Sequence, residues 1–215
     1  MTVIFDLDGT LTDSKSGIVG CLGKILKAYA IEWEGPLDCF IGPSIEEWAK
    51  TLIPNRDKAA QAQLVRDYRA CYDRTGWMEN AVYPGVFDLL DTLERQGIRL
   101  FVCTSKQQQS AELILAKFGL VHYFELVYGD HPQRASHNKQ DLLASLVKEQ
   151  QLDTSTAWMV GDTQFDVEAA HANGVRAIAV TYGYGNVDKL TAVRPYALCG
   201  TPAEILKVLF AEYGR

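Results

Sequence analysis

Short apolar runs alternate with amphipathic stretches along most of this chain, and this alternation limits the possible fold more than any other feature. Each run is only a few residues long and is bounded by turn residues, which is typical of buried parallel strands. The runs lie at residues 3–5, 98–103, 124–128, 157–160, 177–180 and 196–198. Strands that alternate with helices predict an α/β fold, a Rossmann-like three-layer α/β/α core around a parallel sheet.

Residues 15–80 break this rhythm because they contain no convincing strand pattern. Apolar side chains recur with helical spacing from Ile18 to Tyr29, and further helices are expected at residues 44–51 and 57–72. Gly-Pro turns separate these stretches. We therefore expect a core formed by residues 1–14 and 81–215, interrupted by an inserted α-helical cap domain at residues 15–80.

Charge and composition exclude several classes of protein. The 27 acidic residues outnumber the 21 basic ones, which argues against nucleic acid as a partner. No apolar stretch approaches the roughly 20 residues that span a bilayer, so no membrane partner is expected. The five cysteines form no C-x-x-C pair and no signal peptide is visible, which favours a cytoplasmic protein with reduced thiols.

The strongest chemical signal is a pair of aspartates directly after the first predicted strand. Asp6 and Asp8 are two residues apart, so the alternation of strand side chains puts both carboxylates on one side. Ligands of open α/β sheets bind at the carboxyl edge of the strands. Two carboxylates there repel each other unless a cation compensates them, and carboxylate oxygens suit Mg²⁺. Gly9 allows a sharp turn immediately afterwards.

Other polar groups follow later strands. Thr104 and Ser105 supply hydroxyl donors for an anion, although such a pair alone is more often a helix N-cap. Lys139 lies in a polar loop near the start of a helix and brings a cation. If Asp162 begins a helix, Asp166 lies one turn further on the same face, which again indicates a metal. The ends of parallel strands converge on one edge, so these groups are expected to meet.

Three other residues compete with Lys139 for the cationic role. Lys106 directly follows the hydroxyl pair and is expected to start the next helix. Arg134 and His137 either line the same mouth or lie at the surface, and we expect the surface. The sequence leaves open whether Lys139 or a neighbouring cation binds the ligand.

The order of these motifs resembles the haloacid dehalogenase superfamily of phosphatases over nearly the whole chain. The four motifs of that superfamily correspond to Asp6-Leu7-Asp8-Gly9-Thr10, Thr104-Ser105, Lys139 and Gly161-Asp162-Thr163-Gln164-Phe165-Asp166. Further segments resemble its phosphoglycolate-phosphatase-like and 5′-nucleotidase-like subgroup. These segments are Phe40-Ile41-Gly42-Pro43, the run at residues 68–85, and Val180-Thr181-Tyr182-Gly183-Tyr184-Gly185.

The resemblance implies hydrolysis of a small phosphomonoester through an aspartyl-phosphate intermediate. Asp6 would attack phosphorus, and Asp8 would protonate the leaving oxygen and then act as a base towards water. The resemblance assigns Mg²⁺ to Asp6, the main-chain carbonyl of Asp8 and Asp162. Two hydroxyl residues, Thr104 and Ser105, would bind the phosphoryl oxygens.

The remaining motif residues have supporting roles in this scheme. Lys139 would bind the same phosphoryl oxygens as the hydroxyl pair, and Asp166 would orient either Lys139 or a water on the metal. Residues 41–45 and Tyr72 are candidates for substrate contact from the cap.

Several alternatives stay open from the sequence. The substrate is a small phosphorylated metabolite, and phosphoglycolate, nucleoside monophosphates and sugar phosphates all fit. A phosphomutase of the same superfamily, which returns the phosphoryl group to another hydroxyl, is the first alternative function. A non-catalytic regulator that accepts a phosphoryl group is the second. The chain is expected to be a monomer or a homodimer.

Overall fold

A parallel sheet lies at the centre of the molecule. The computed structural model describes residues 1–131, 134 and 138–213. The strands are β1 (Thr2–Phe5), β2 (Thr12–Asp13), β3 (Ala81–Val82), β4 (Arg99–Gln107), β5 (Leu126–Asp130), β6 (Ala157–Gly161), β7 (Arg176–Val180) and β8 (Ala197–Cys199). Six of these form the central sheet in the order β5-β4-β1-β6-β7-β8, and every neighbouring pair is parallel. The predicted α/β fold class is confirmed.

Helices cover both faces of this sheet. They are α1 (Lys15–Ala28), α2 (Ile45–Leu52), α3 (Lys58–Arg74), α4 (Val86–Arg95), α5 (Gln108–Lys117), α6 (Lys139–Glu149), α7 (Gln164–Ala172), α8 (Val187–Ala192) and α9 (Pro202–Tyr213). In β1, Val3 and Phe5 pack into one apolar core with α4, α5 and α9. Ile4 packs into a second core with α6, α7 and α8. Side-chain alternation along one strand thus supplies both helical layers.

A third apolar core belongs to the helices between β2 and β3. Residues 15–80, all of which the structure describes, contain no strand, and α1, α2 and α3 pack together there. Leu22, Trp48 and Leu64 are among the buried side chains of this core. The division of the chain into a core domain and a cap domain stays a prediction.

The chain enters and leaves the helical segment through a short antiparallel pair. Thr12 of β2 lies opposite Val82 of β3, and Asp13 lies opposite Ala81. The sequence did not predict these strands, since two residues are too few to show a period.

In residues 1–131, 134 and 138–213, none of the helices combines the length and apolar character that a membrane crossing requires.

Candidate active site

The sequence-predicted residues meet where strands β1, β4 and β6 end. Asp6 follows β1 directly, and its N–H donates to Val160 O of β6 at 2.8 Å. Thr104 lies in β4 beside β1, and Asp162 follows β6. Because β1 is central, its carboxyl end is flanked by polar residues from both neighbouring strands. Asp6 and Asp8 both line a cleft here, as the alternation of side chains predicts.

Asp6 forms a buried ion pair with Lys139. The Lys139 Nζ lies 2.7 Å from Asp6 Oδ1 and 2.8 Å from Asp166 Oδ1. Asn138 caps α6 by accepting the N–H of Asp141, which fixes Lys139 as the first residue of that helix. Burial raises the pKa of Asp6 to about 6, although Lys139 opposes this rise. Burial alone lowers the pKa of Lys139, but Asp166 and Asp6 raise it above its usual value.

Asp8 has a different cationic partner. The Lys106 Nζ lies 2.9 Å from Asp8 Oδ2 and donates to the Tyr72 hydroxyl at 3.0 Å. The second oxygen, Asp8 Oδ1, is buried and has no hydrogen-bond partner among the described residues. A carboxyl group with one open oxygen can give a proton to a ligand, or take one from it, at that oxygen.

The expectation that Lys106 starts a helix is wrong. Strand β4 continues to Gln107, which pairs with Asp130 of β5, and α5 begins only at Gln108. The extended backbone directs the Lys106 side chain towards Asp8, where it is 7 % exposed. The interpretation of Thr104 as a helix cap is wrong for the same reason, because the N-cap of α5 is Gln107.

Thr104 and Ser105 line the cleft beside the two aspartates. Thr104 is 1 % exposed, and its hydroxyl oxygen accepts the N–H of Lys106 at 3.2 Å. Ser105 is half-buried. Both hydroxyls belong to strand β4, which continues to Gln107 before α5 begins at Gln108. The assignment of both residues to phosphate binding stays a prediction.

Three buried carboxylates form a cluster at this edge. One oxygen each from Asp6, Asp162 and Asp166 lies within 4.8 Å of the others. Asp162 precedes α7 instead of beginning it, since Thr163 is the N-cap. Burial raises the pKa of Asp162 well above its usual value, and the charges of Asp166 and Asp6 add to the rise. Three carboxylates share one ammonium group, and this excess of negative charge suits a divalent cation.

Asp166 is committed to protein contacts on both of its oxygens. Oδ2 accepts the Thr163 N–H at 3.0 Å and the Thr163 hydroxyl at 2.8 Å, while Oδ1 faces Lys139. Asp162 has fewer hydrogen bonds: Oδ2 accepts the Tyr184 N–H at 2.8 Å, and among the described residues Oδ1 has only a 3.5 Å contact from the Thr10 hydroxyl. Asp162 is therefore better placed than Asp166 to bind a metal directly.

Glycines give Asp162 the space that it occupies. A Cβ on Gly9, whose φ is +83°, would lie 2.1 Å from Asp162 Oδ2. A Cβ on Gly183 would lie 2.4 Å from Asp162 Cβ. Both distances are shorter than atoms tolerate, so these positions require glycine. Gly9 thus serves a close approach to the carboxylate as well as the turn that the sequence predicts.

The cleft extends from the aspartates to the helical segment at residues 15–80. From the predicted contact segment 41–45, Ile41, Gly42, Pro43 and Ile45 line it, and Tyr72 lines it as well. Arg134 is half-buried, with its guanidinium 3.6 Å above the Tyr128 ring, and is therefore less exposed than expected. His137 lies outside the described residues.

One site residue lies elsewhere than the sequence predicts, and the sequence assigns no individual role to another. Lys106 was expected at the start of a helix, and Tyr184 lies within a segment that resembles the subgroup as a whole. The hydroxyl of Tyr184 accepts N–H groups from Ser14 and Lys15 at 2.7 and 3.0 Å, while its own N–H reaches Asp162. A tyrosine between two glycines gives no local signal of such long-range contacts.

The chain is similar in sequence and in fold to known proteins. The profile of the family described as haloacid dehalogenase-like hydrolase matches residues 3–180. A 5′-nucleotidase from Pseudomonas aeruginosa is 33% identical over 96% of this chain and 94% of its own. The tyrosine-protein kinase PtkA from Mycobacterium tuberculosis is 37% identical over 86% of this chain, which spans 64% of that protein. The crystal structure of a predicted phosphatase from Clostridium acetobutylicum aligns with a TM-score of 0.92 and 31% identity, covering 98% of each chain.

Proposed function

The chain belongs to the haloacid dehalogenase-like hydrolase family, and on that premise we propose that it is a Mg²⁺-dependent phosphatase of small phosphomonoesters. The observation that carries this proposal is the pairing of each aspartate with its own lysine in one cleft. Lys139 contacts Asp6, and Lys106 contacts Asp8. Asp6 thereby lies beside the Lys139 ammonium as a nucleophile, and Asp8 keeps an open oxygen for proton transfer.

The first step transfers the phosphoryl group to Asp6. A carboxylate oxygen of Asp6 forms a bond to phosphorus as the bond from phosphorus to the ester oxygen breaks. Asp8 gives a proton to the departing oxygen, so the alcohol leaves neutral. Thr104, Ser105 and Lys139 bind the phosphoryl oxygens and neutralise part of their charge.

The second step releases phosphate. Asp8, now ionised, removes a proton from a water molecule whose oxygen attacks the phosphorus of the acyl phosphate. The bond to the Asp6 oxygen breaks, which returns the Asp6 carboxylate and frees inorganic phosphate. Asp8 regains its proton in the same step, so both residues return to their starting states.

Mg²⁺ fits the donors at this site. Asp6 and Asp162 would supply carboxylate oxygens and Asp8 its main-chain carbonyl, whereas Asp166 is committed to Thr163 and Lys139. When bound, Mg²⁺ withdraws charge from the phosphoryl oxygens and reduces their repulsion of the nucleophile. Asp166 acts by holding Lys139 against Asp6.

The helical segment at residues 15–80 is proposed to be a cap that covers the cleft. Its side chains Ile41, Ile45 and Tyr72 share the cleft with Asp6 and Asp8. Covering the aspartates excludes bulk water during the first step, which protects the transfer and strengthens the charge interactions.

Phosphate release from adenosine 5′-monophosphate with Mg²⁺ tests the function. We expect turnover by the wild-type chain and a loss of at least about 1,000-fold in Asp6→Asn, because the amide is not a nucleophile of this kind. Asp188→Asn, which alters an exposed aspartate of α8, is the matched control and should retain full activity. Full activity in Asp6→Asn would remove Asp6 from its role.

The product distinguishes the alternatives. A phosphomutase would yield an isomeric sugar phosphate in place of inorganic phosphate. A regulator would keep a stable phosphoryl group on Asp6 and release none. Neither alternative has a specific observation in its favour.

A further inference from the structure

One wall of the cleft bears on the choice of leaving alcohol in the substrate, an inference that rests on the proposed phosphatase function. This wall comes from the helical segment and is largely apolar. Its apolar and aromatic members are Ile18, Ile41, Pro43, Ile45, Trp48 and Tyr68. Trp48 and Tyr68 pack edge to face with their ring centroids 4.9 Å apart, so the wall has a rigid aromatic part.

The cations beside this wall are already neutralised. Among the described residues that line the cleft, the basic ones are Lys106 and Arg69. Lys106 is paired with Asp8. The Arg69 Nη2 lies 2.7 Å from Asp130 Oδ2 and 3.0 Å from Glu46 Oε1, and the Asp130 side chain is only 1 % exposed. One guanidinium therefore meets two carboxylates, which leaves Arg69 without an unpaired charge for a ligand anion.

A further carboxylate lies on the cleft itself. Asp73 lines it and accepts a hydrogen bond from the Ser110 hydroxyl at 2.8 Å. A substrate with a second anionic group would place that group near Asp73 and near Arg69, whose charge is already paired with Glu46 and Asp130. Like charges brought together in this way cost free energy that binding does not recover.

Neutral polar atoms at the cleft residues suit a different ligand. Trp48 Nε1, a donor, and Gln107 Oε1, an acceptor, are buried and have no hydrogen-bond partner within the described part of the chain. Both residues line the cleft. A ligand hydroxyl can accept a hydrogen bond from a donor such as Trp48 Nε1 or donate one to an acceptor such as Gln107 Oε1.

We propose that the leaving alcohol is uncharged, bears hydroxyl groups and has an apolar face, and that Glu46 disfavours a second anion by neutralising Arg69. The apolar wall contacts the apolar face of the alcohol. A nucleoside is an alcohol with such a face. Among the described residues that line the cleft, the carboxylate of phosphoglycolate finds no basic side chain that lacks a carboxylate partner. Glu46 is a specificity-determining residue that acts through Arg69.

The first test compares three phosphate esters of primary alcohols in the presence of Mg²⁺. They are adenosine 5′-monophosphate, glycerol 3-phosphate and 2-phosphoglycolate, which differ in the charge and apolar area of the alcohol. We expect kcat/KM for 2-phosphoglycolate to be at least about tenfold below that for adenosine 5′-monophosphate. Equal or faster hydrolysis of 2-phosphoglycolate would overturn the inference while leaving the phosphatase function intact. No release from any ester would overturn both.

The second test assigns the effect to Glu46. In Glu46→Gln, Arg69 loses one of its two charged partners, so the ratio of kcat/KM should shift towards 2-phosphoglycolate by about threefold or more. The variant leaves the capping contacts of α2 in place, since these join Ser44 and Glu47. Glu34→Gln removes the same charge from an exposed position of the helical segment and should leave the ratio unchanged. An equal change for all three esters in Glu46→Gln would indicate a structural role and would contradict the assignment.

Discussion

Asp6 and Asp8 are two residues apart, yet they contact different lysines from different elements. Lys139, from the first turn of α6, touches Asp6, and Lys106, from the end of β4, touches Asp8. This separation gives the two carboxylates different environments in one cleft. Pairs of carboxylates with different surroundings are the usual basis for a division between nucleophile and proton donor.

Lys139 should be required for stability as well as for activity. It is the cation that contacts two carboxylates of the acidic cluster, so Lys139→Met leaves buried charges uncompensated. We expect the free energy of unfolding of the metal-free protein to fall by about 3 kcal/mol, measured by urea denaturation at neutral pH. Lys148→Met, at an exposed position of α6, should change it by less than about 0.5 kcal/mol. An unchanged midpoint in Lys139→Met would show that the ion pairs are not formed in solution.

Gly183 should tolerate no side chain because of its distance from Asp162. In Gly183→Ala the new Cβ would lie 2.3 Å from the carbonyl oxygen of Gly9 and 2.4 Å from Asp162 Cβ. Asp162 must therefore move, and we expect phosphatase activity to fall by at least about tenfold. Gly20→Ala in α1 is the control, since its Cβ meets no atom within 4 Å and should stabilise the helix by about 0.5 kcal/mol. Equal activity in both variants would contradict the close packing around Asp162.

The sequence predicted the positions of site residues well where a strand ends directly before the residue. It predicted them poorly where the strand continues beyond its apolar residues. Asp6 and Asp162 follow strands whose ends are near the predicted positions, and the two carboxylates meet as expected. Lys106 was misjudged because β4 runs beyond the apolar residues that define it in the sequence. Hydrophobic periodicity reports the buried part of a strand and not its polar continuation.

At the scale of elements, the passage between the sheet and the helical segment is tied to the acidic cluster. The β2–β3 pair carries the chain in both directions. The Tyr184 hydroxyl accepts the N–H groups of Ser14 and Lys15 and donates to Asp13 Oδ1 at 2.7 Å. The main-chain N–H of Tyr184 contacts Asp162. One residue thus joins the start of α1 to a candidate metal ligand.

Tyr184→Phe should separate these two contacts. Loss of the hydroxyl leaves the Ser14 N–H without its acceptor, whereas the Lys15 N–H keeps Asp13 Oδ1 at 3.2 Å, so the free energy of unfolding should fall by about 1 kcal/mol in a urea titration. The main-chain bond to Asp162 survives, so Mg²⁺ should still stabilise the variant in thermal unfolding. Loss of that Mg²⁺ response would mean that the hydroxyl, and not the main chain, positions Asp162.

The helices of the segment at residues 15–80 were predicted more accurately than its connection to the sheet. The helix expected at residues 44–51 is α2, which a Ser44–Glu47 capping box starts at Ile45. Local signals of this kind lie within a few residues and are readable in a sequence. The β2–β3 pairing joins residues about seventy positions apart, and no local pattern records it.

On the scale of the whole molecule, the acidic cluster is a source of instability that a cation should relieve. Asp6, Asp162 and Asp166 are all buried, and this burial raises the pKa of Asp162, with a further rise from the charges of Asp166 and Asp6. A ligand that binds only the folded state at about 100 times its dissociation constant stabilises that state by about 2.7 kcal/mol. Mg²⁺ should therefore raise the midpoint of thermal unfolding.

Asp162→Asn should abolish most of this thermal shift, because it removes a carboxylate that is open to the metal. Asp88→Asn, which alters an exposed aspartate of α4, should keep the full shift. Differential scanning fluorimetry with increasing Mg²⁺, and with a chelator to return the protein to its metal-free state, measures both. A wild-type midpoint that does not respond to Mg²⁺ would contradict the metal assignment.

The central claim is that Asp6 carries the phosphoryl group during turnover. The most direct measurement is an acid quench of the wild-type protein during steady hydrolysis with Mg²⁺, followed by mass spectrometry of the peptide that contains residues 1–15. The account predicts a phosphoryl adduct on Asp6 that hydroxylamine removes and that Asp6→Asn lacks. A phosphoryl group on another residue, or phosphate release at the wild-type rate by Asp6→Asn, would contradict it.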